Sequence, residues 1–342
     1  MLEESDECGL NLCITHQPTL SSGKNDSSTM NEDTLLSPIS LRCAGDAKQG
    51  DSPRGERSSV CERQAALAIP CTATTLGYLG HFRDRPFNYT FEPPDGQPWS
   101  NYQRDVREVQ IVDARFLKSR PRLDLEGFSL WRARTAVRNF QDADEVQSRY
   151  YPELIELACS ATGAKHAYVF DHTVRSRVIT GATVGFGRTA NDPPGANGQV
   201  HNDYTEMSGH RRMKLVLGEA CARLAKSRFA IINLWRPIDA PIRELPLALC
   251  NARTISTDDL VDASVHYRER SGDIYLGTYS PRHQWFYYSA MDRAELLMFK
   301  QYDSDVSSVS RFTLHAAFLH PDAAVGSRAR HSIEARCLVV FD

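Results

Sequence analysis

The sequence lacks any long run of apolar residues and any run of basic ones. No stretch of its 342 residues approaches the roughly 18 apolar residues of a membrane-spanning helix, and the acidic, polar N-terminus lacks the basic and apolar regions of a signal peptide. With a formal net charge of −3, the chain shows no basic patch suited to nucleic acid or to an anionic membrane surface. These absences predict a cytoplasmic protein whose partner is a small molecule, with a homodimer left open.

The chain also lacks paired cysteines. Its nine Cys residues are an odd number, and Cys8, Cys13, Cys43 and Cys61 lie in a polar region without a Cys-x-x-Cys pair. We therefore predict isolated, mostly buried thiols rather than a disulfide framework.

Residues 1–65 show neither helical nor strand periodicity. They are rich in Ser, Asp, Glu, Gly and Thr, a composition that cannot bury enough apolar surface to fold. We predict a disordered tail over residues 1–65, with translation from Met30 as an alternative to Met1. Residues 66–342 are expected to form a single domain, because 41% of the chain is hydrophobic and can supply a core.

After the tail, turn-rich sequence gives way to a helical segment and then to repeated extended runs. Thr72 to Gln103 combines aromatic and turn residues and is interpreted as an irregular arm. Apolar residues recur every three to four positions in Val137 to Thr162, which predicts a helix that ends at Gly163. Met213 to Lys226 is predicted to be a second helix. The extended runs are His166 to Asp171, Gly198 to Thr205, Phe229 to Trp235, Asp273 to Tyr279, Trp285 to Tyr288, Glu295 to Tyr302, Thr313 to Leu319 and Ser332 to Phe341.

Eight short extended runs with turns between them predict a mainly β fold with flanking helices. Two packed sheets of a double-stranded β-helix, the cupin-like jelly roll, account for their number and order. The helices are expected to pack on an outer face of this jelly roll.

The segment Gln199–Thr205 is the most informative part of the chain because it contains the motif His-x-Asp. On a strand, side chains two residues apart share a face, so His201 and Asp203 are expected to point inward together. With a distant second His they would form the two-histidine, one-carboxylate triad that binds non-haem iron and leaves positions open for a co-substrate and O2. A single His-x-Asp also arises by chance in long chains. Oxygenases that use Fe(II) and 2-oxoglutarate share the jelly-roll architecture, so the motif and the predicted fold agree.

The third ligand is sought among the six histidines that follow the motif. In jelly-roll oxygenases the distal His lies on the penultimate core strand, and the run Phe312–Phe318 precedes the last predicted strand. His315 is therefore the favoured ligand, and His283 is the main alternative. A structural His315 bonded to a backbone carbonyl also fits the pattern.

The last predicted strand carries basic groups on one face. Arg336 lies among apolar residues, where an unpaired guanidinium is costly to bury, so it needs a carboxylate partner. Arg330, Ser332 and Glu334 share its face by the period of two. An Arg fork matches a carboxylate bidentately, so we expect Arg336, together with Arg330 and Ser332, to bind the distal carboxylate of 2-oxoglutarate. An internal ion pair between Arg336 and Glu334 is the alternative.

Further polar and aromatic residues are expected to contact the substrate or to support the site. One group ends a predicted strand just before a Pro, where a chain leaves a barrel and presents side chains at its rim. Another belongs to an aromatic stripe, a pattern more often found in plain core but also able to orient a substrate. The predicted residues are Tyr204, Asn233, Trp235, Arg236, His283, Trp285 and Lys300.

Six short motifs occur in a fixed order in the second half of the chain. They are Asn233–Ile238, Pro246–Arg253, Ser280–Trp285, Phe299–Ser304, His315–Phe318 and Arg330–Arg336. With Tyr150–Glu153 and Phe170–Thr173 upstream, they resemble the AsaB-like family of fungal hydroxylases and desaturases, which includes the fungal gibberellin desaturase. The resemblance covers about residues 75–342.

The resemblance implies dependence on Fe(II), 2-oxoglutarate and O2 and a role in secondary-metabolite biosynthesis. Reactions in the wider group include hydroxylation, desaturation, endoperoxide formation and oxidative ring closure, including aziridine formation on an amino acid. Three positions depart from the family pattern: Tyr204 where Gln is expected, Ala316 where Thr is commoner and His331 where an acidic residue is usual. None removes an expected ligand, but all reshape the pocket, so the resemblance does not name the substrate.

Two other interpretations are weighed against this one. Some relatives are labelled methyltransferases, but the chain has no Gly-rich turn after an early strand to hold S-adenosylmethionine. A non-catalytic jelly-roll partner subunit, or a metal-binding scaffold of a hetero-oligomer, is the rival from another class. The full set of candidate ligands argues against that rival.

Overall fold

The computed structural model describes residues 69–177, 197–218, 224, 226–239, 241–323 and 330–341. Within them the chain forms two sheets, one of nine strands and one of five. This architecture confirms the mainly β jelly roll expected from the sequence. The predicted tail, residues 1–65, lies outside the described residues.

Fourteen strands make up the two sheets of the described chain. They are β1 (Cys71–Phe82), β2 (Phe87–Tyr89), β3 (Tyr102–Asp113), β4 (Phe128–Arg132), β5 (His166–Arg177), β6 (His201–Asn202), β7 (Arg228–Pro237), β8 (Leu247–Cys250), β9 (Leu260–His266), β10 (Ser271–Gly277), β11 (Trp285–Tyr287), β12 (Glu295–Asp303), β13 (His315–Ala317) and β14 (Arg330–Phe341). The nine-stranded sheet has the order β1-β3-β11-β8-β13-β6-β10-β9-β2, and the five-stranded sheet has the order β4-β12-β7-β14-β5.

The inner faces of the two sheets meet in an apolar core. Leu249 and Phe286 from the nine-stranded sheet pack with Trp235 and Phe299 from the five-stranded sheet. β7 is buried along almost its whole length, because one of its faces meets this core and the other is covered by helix. A strand buried on both faces reads as a continuous apolar run rather than an alternating one.

The first helical region lies within the predicted range Val137 to Thr162. It consists of α1 (Ala143–Glu145), a π-helical turn (Val146–Tyr150) and α2 (Tyr151–Thr162). Gly163 ends it with φ of 73°, a left-handed conformation that costs glycine little. The buried face of α2 packs on the outer face of the five-stranded sheet, as the sequence predicts.

The second helix, α3, spans Glu206–Leu217 and begins well before the predicted start at Met213. Thr205 and Ser208 form a capping box, in which each side chain accepts a hydrogen bond from the other residue's backbone N–H. The apolar periodicity marks only the half of α3 that packs on the core. Its first turn is polar and was therefore missed.

We expect Thr205→Ala to lower the free energy of unfolding by about 1 kcal/mol, the usual contribution of an N-cap side chain. The change removes the acceptor of the Ser208 N–H bond at the start of α3. Urea denaturation followed by circular dichroism measures the loss. Met207→Ala on the same turn is the control, because Met207 is 77% exposed, and an equal loss in both variants would contradict the capping role.

The segment from Thr72 to Gln103 was predicted to be an irregular arm, and that prediction was wrong. β1 pairs antiparallel with β3 from Cys71↔Val112 to Phe82↔Tyr102, at the edge of the nine-stranded sheet. The turn residues that suggested an arm lie in the connection between these two strands. β1 is rich in Thr and exposed at its start, so it has little apolar periodicity to detect.

No helix in the described ranges has the length and apolarity needed to cross a bilayer. Of the four cysteines described, Cys159, Cys250 and Cys337 are buried and Cys71 is exposed. For this part of the chain, the structure thus agrees with the prediction that the thiols are mostly buried.

Candidate metal centre

His201 and His315 face each other across two neighbouring strands. His315 on β13 is the direct antiparallel partner of His201 on β6, a position that brings Cβ atoms to about 4.5–5.5 Å. Their ring centroids are 4.2 Å apart. With Asp203 they form a cluster whose potential ligand atoms all lie within 4.8 Å of one another, so the structure brings together the three residues predicted as metal ligands.

Both histidines are oriented by backbone carbonyls. His201 Nδ1 lies 2.7 Å from the Gln199 carbonyl oxygen, and His315 Nδ1 lies 3.1 Å from that of Thr313. A carbonyl only accepts, so Nδ1 carries the proton in each ring and Nε2 keeps its lone pair. Burial, reinforced by His201, lowers the pKa of His315 to about 3, which keeps its ring neutral. A neutral imidazole held in this way is the form that ligates a metal.

The two oxygens of Asp203 have different surroundings. Oδ2 accepts hydrogen bonds from Asn233 Nδ2 at 2.9 Å and from Arg336 Nε at 3.2 Å. Oδ1 lies 3.4 Å from His201 Nε2. Burial by itself would raise the pKa of Asp203, but the Arg336 guanidinium beside it holds that pKa well below its usual value. The carboxylate is therefore ionised, with one oxygen held by the protein and the other directed at the histidines.

Asn202, between the two candidate ligands His201 and Asp203, was not identified from the sequence. It is fully buried, and its side chain bonds the backbone of Gln301, Tyr204 and Thr313. The Gln301 side chain accepts the Asp203 N–H at 2.7 Å, from a point where the β12–β7 pairing shifts register. Such a bulge redirects a side chain. These bonds tie β6 to both sheets, and only the three-dimensional pairing reveals them.

The structure gives Arg336 and Arg330 different neighbours. Arg336 contacts three carboxylates, those of Asp171 at 3.0 Å, Glu334 at 3.1 Å and Asp203 at 3.2 Å. Arg330 is buried, donates to the Leu245 carbonyl at 2.9 Å and lies 3.4 Å from the hydroxyl of Ser332. Its guanidinium carbon lies 5.1 Å from the centre of the Trp235 ring. Both cations thus lie on the inner face of β14, one beside the ligands and one further along.

Some predicted residues lie away from the triad. The His283 ring stacks on Tyr78 at 5.9 Å, its Nε2 lies 3.3 Å from Asp259, and Trp285 Nε1 donates to the Tyr78 hydroxyl. These residues belong to a core on the face of β11 opposite the one that carries Phe286. The structure does not bring His283 or Trp285 to the cavity beside His201.

Arg236 and Lys300 also point elsewhere. Arg236 is buried on the outer face of β7, over the ring of Tyr150 at 5.0 Å. Lys300 bonds Asp303 at 2.8 Å and lines a separate cavity of about 1240 Å³. Neither residue lines the cavity at the triad.

A cavity of about 860 Å³ opens beside His201 and Asp203. Its walls come from β5, α3 and the hairpin of β9 and β10, and they include Tyr204 and Arg336 from the predicted set. Burial raises the pKa of Tyr204 to about 12 against the opposing influence of Arg336 and Arg212, so its phenol stays protonated. His201 and Asp203 of the triad thus lie at the wall of a space large enough for a small organic molecule.

Comparisons with known proteins agree with this geometry. A family model described as an oxidoreductase/YMDC permease-like domain matches residues 76–340. The hydroxylase/desaturase efuI of Hormonema carpetanum is 30% identical over 294 residues, which cover 81% of this chain and 98% of that protein. The Fe(II)/2-oxoglutarate-dependent dioxygenase nvfI of Aspergillus novofumigatus is 28% identical over 73% of this chain and 89% of its own length. Among solved structures, the iron and alpha-ketoglutarate-dependent endoperoxidase NvfI superposes with a TM-score of 0.68 at 26% identity, covering 79% of this chain and 98% of that chain.

Proposed function

The chain belongs to the oxidoreductase/YMDC permease-like domain family, and we propose that it is an Fe(II)- and 2-oxoglutarate-dependent oxygenase of fungal secondary-metabolite biosynthesis. Its relatives include fungal hydroxylase/desaturases and dioxygenases, which confirms the resemblance found in the sequence. The observation that carries the proposal is the cluster of His201, Asp203 and His315, with ligand atoms within 4.8 Å of one another. Nothing in the relatives or the site favours a non-catalytic subunit.

The donor set fits Fe(II). Two neutral imidazoles and one carboxylate are the triad of non-haem iron oxygenases, and they leave positions open for other ligands. We propose that His201 Nε2, His315 Nε2 and Asp203 Oδ1 hold the metal. When bound, Fe(II) with 2-oxoglutarate and O2 supplies the oxidising power to remove hydrogen from an unactivated C–H bond, with release of succinate and CO2.

The surrounding residues restrict the motion of the ligands. The Gln199 and Thr313 carbonyls fix the imidazole planes, and Asn233 with Arg336 fixes the carboxylate. The Phe299 ring packs against His315 with centroids 4.9 Å apart, which excludes water from that side. Partners of this kind raise metal affinity because the ligands need not be ordered when the metal binds.

We place the co-substrate along the inner face of β14. Arg336 pairs with Asn233, Glu334 with Trp235 and Ser332 with Pro237, so each two-residue step moves about 7 Å away from Asp203. The guanidinium of Arg330 lies at the level of Trp235, which is about one two-residue step along the strand from the Asp203 carboxylate. Trp235 Nε1 is buried and has no hydrogen-bond partner among the described residues. A five-carbon diacid with its keto-acid end at the metal would place its distal carboxylate among these donors.

Arg336 has a different role in this proposal, since its guanidinium is already shared by three carboxylates. Arg336 balances the charge of Asp203 and holds its Oδ2 atom by a hydrogen bond. Arg330 with Ser332 is then the favoured anchor of the distal carboxylate of 2-oxoglutarate. Arg336 remains the alternative anchor.

The proposed reaction is oxidation of a C–H bond in a small molecule. Hydroxylation, desaturation and oxidative ring closure, including aziridine formation on an amino acid or endoperoxidation, all begin with removal of hydrogen from the substrate. The relatives include hydroxylase/desaturases and an endoperoxidase, so each outcome stays within the proposal. Tyr204 and the other cavity residues decide how the substrate lies against the metal.

The proposed function is tested by anaerobic addition of Fe(II) and then 2-oxoglutarate to the full chain. We expect one iron per chain and a visible absorption band on addition of 2-oxoglutarate, because the band requires chelation of the metal by the keto acid. O2 is then admitted and succinate is measured; succinate from a sample that showed no band would point to another iron site. The absence of both the band and succinate would refute the proposal.

We expect Arg330→Gln to raise the 2-oxoglutarate concentration that gives half of the band about tenfold or more, because a hydrogen bond to a charged group contributes roughly 1.5–3 kcal/mol. Iron affinity should not change. Arg336→Gln should instead weaken iron binding, since Asp203 loses a partner. If the 2-oxoglutarate concentration that gives half of the band rises only in Arg336→Gln, and that variant is folded, the anchor is Arg336.

A further inference from the structure

The cavity beside the triad has more basic than acidic groups on its walls. Five arginines and three aspartates line it. Asp203 and Asp171 both bond Arg336, and Asp273 bonds Arg85 and Arg211. Every aspartate of the wall is therefore already engaged by a cation. Within the described residues, Arg212 and Arg270 have no carboxylate within ion-pair distance.

Arg212 is positioned by the helix that follows the proposed ligands. Ser208, Arg211, Arg212 and Leu215 all line the cavity, and their spacing of three, one and three residues places them on one face of α3. α3 is capped at Thr205, two residues after Asp203. The distance between this helix face and the triad is therefore set by a short, hydrogen-bonded connection.

The guanidinium of Arg212 is held against an aromatic ring. Its carbon lies 4.9 Å from the ring centre of Phe170, a cation–π arrangement that restricts the side chain without using its hydrogen-bond donors. Arg212 is partly buried. A partly buried guanidinium that keeps its donors unused suits recognition of a carboxylate, which it binds bidentately.

The remaining wall is partly apolar. Leu215 is 68% exposed although it lines the cavity, and Val265 and Ile274 lie on the hairpin side. Apolar side chains on the wall of a cavity that also holds a few polar groups are typical of a ligand site. The wall thus combines a surface for a hydrocarbon skeleton with a fixed cation.

We propose that the oxidised substrate is a small carboxylic acid with an apolar skeleton, and that Arg212 on α3 binds its carboxylate. This inference rests on the proposed function for the position of the reacting C–H bond. It separates two anion sites: Arg330 and Ser332 for the co-substrate on one side of the metal centre, and Arg212 for the substrate on the other. Arg270 at the rim adds a second positive charge that attracts an anion.

The test uses pairs of probe molecules, and each pair consists of a carboxylic acid and the primary amide of the same carbon skeleton. The skeletons are alkyl, aryl-alkyl and terpenoid. Binding is measured by calorimetry on the full chain loaded anaerobically with Fe(II) and N-oxalylglycine, an inert analogue of 2-oxoglutarate. We expect the wild type to bind the acids at least tenfold more tightly than the amides. Arg212→Gln should lose that preference, because it removes a charged hydrogen-bond donor. Lys214→Gln, an exposed position of α3 outside the cavity wall, should keep it.

Three other outcomes would contradict the proposal. Equal binding of acids and amides by the wild type, or an acid preference that persists in Arg212→Gln, would overturn it. A tenfold rise in the 2-oxoglutarate requirement of Arg212→Gln would assign Arg212 to the co-substrate and overturn it too. The Fe(II)–2-oxoglutarate band, measured on a portion of the same protein loaded with 2-oxoglutarate in place of N-oxalylglycine, reports separately on the proposed function. An acid preference without the band would refute that function and leave the anion site standing.

Discussion

Asp203→Ala and His201→Ala are each expected to reduce bound iron from one per chain to nearly none. Each removes one of only three protein ligands, and the remaining two cannot hold Fe(II) against water. Asp203→Ala also leaves Arg336 and Asn233 without the oxygen that they share. Metal analysis after anaerobic loading and desalting measures the loss, and turnover should disappear with it.

Asp171→Asn is the matched control for this pair. Asp171 bonds the same Arg336 and lines the same cavity, but it is not part of the ligand cluster. It should keep its iron. Full iron content and activity in Asp203→Ala, or loss of iron in all three variants with the fold intact, would remove the basis for the assigned centre.

The second large effect is expected at His315. His315→Ala should abolish both the Fe(II)–2-oxoglutarate band and succinate formation, since the ring directly opposite His201 is then missing. His283→Ala should keep the band, because His283 lies against Tyr78 and Asp259 and not at the cavity. Anaerobic spectroscopy of the two variants side by side distinguishes them.

The opposite pattern of results would reverse the assignment of His315 as the metal ligand. If the band is lost in His283→Ala and retained in His315→Ala, the two roles have been assigned the wrong way round. Thermal unfolding of both variants accompanies the spectra. A folded His315→Ala without the band is the result that supports the ligand assignment.

The jelly roll was predictable because its signals are local. β7 and β14 each contain a short apolar run, and α2 repeats apolar residues at helical spacing, so each segment carries its own signal. β8 and β9 were not predicted. β8 is a four-residue apolar run between a Pro and an Asn, too short for a period to show. The start of α3 was missed because a capping box is a polar feature that apolar periodicity does not detect.

The centre was predictable for a different reason. His-x-Asp places two donors on one face by the strand period alone, and the order of strands in a jelly roll points to His315. The roles of Asn202 and Gln301 were not predictable in the same way. Their partners lie about a hundred residues away in the sequence, and a register shift determines where the Gln301 side chain points.

The sequence by itself determined the fold class and pointed to the three candidate ligands in their order along the chain, because strands and helices show in the sequence as periods of two and of about four residues. Only the tertiary structure decided how the charges are shared. Arg336 and Arg330 lie on the same face of one strand, yet only Arg336 is close to three carboxylates. The side chains of His283 and His315 are both buried, yet only His315 faces His201. Such differences arise from which strands become neighbours, and a one-dimensional pattern does not contain that information.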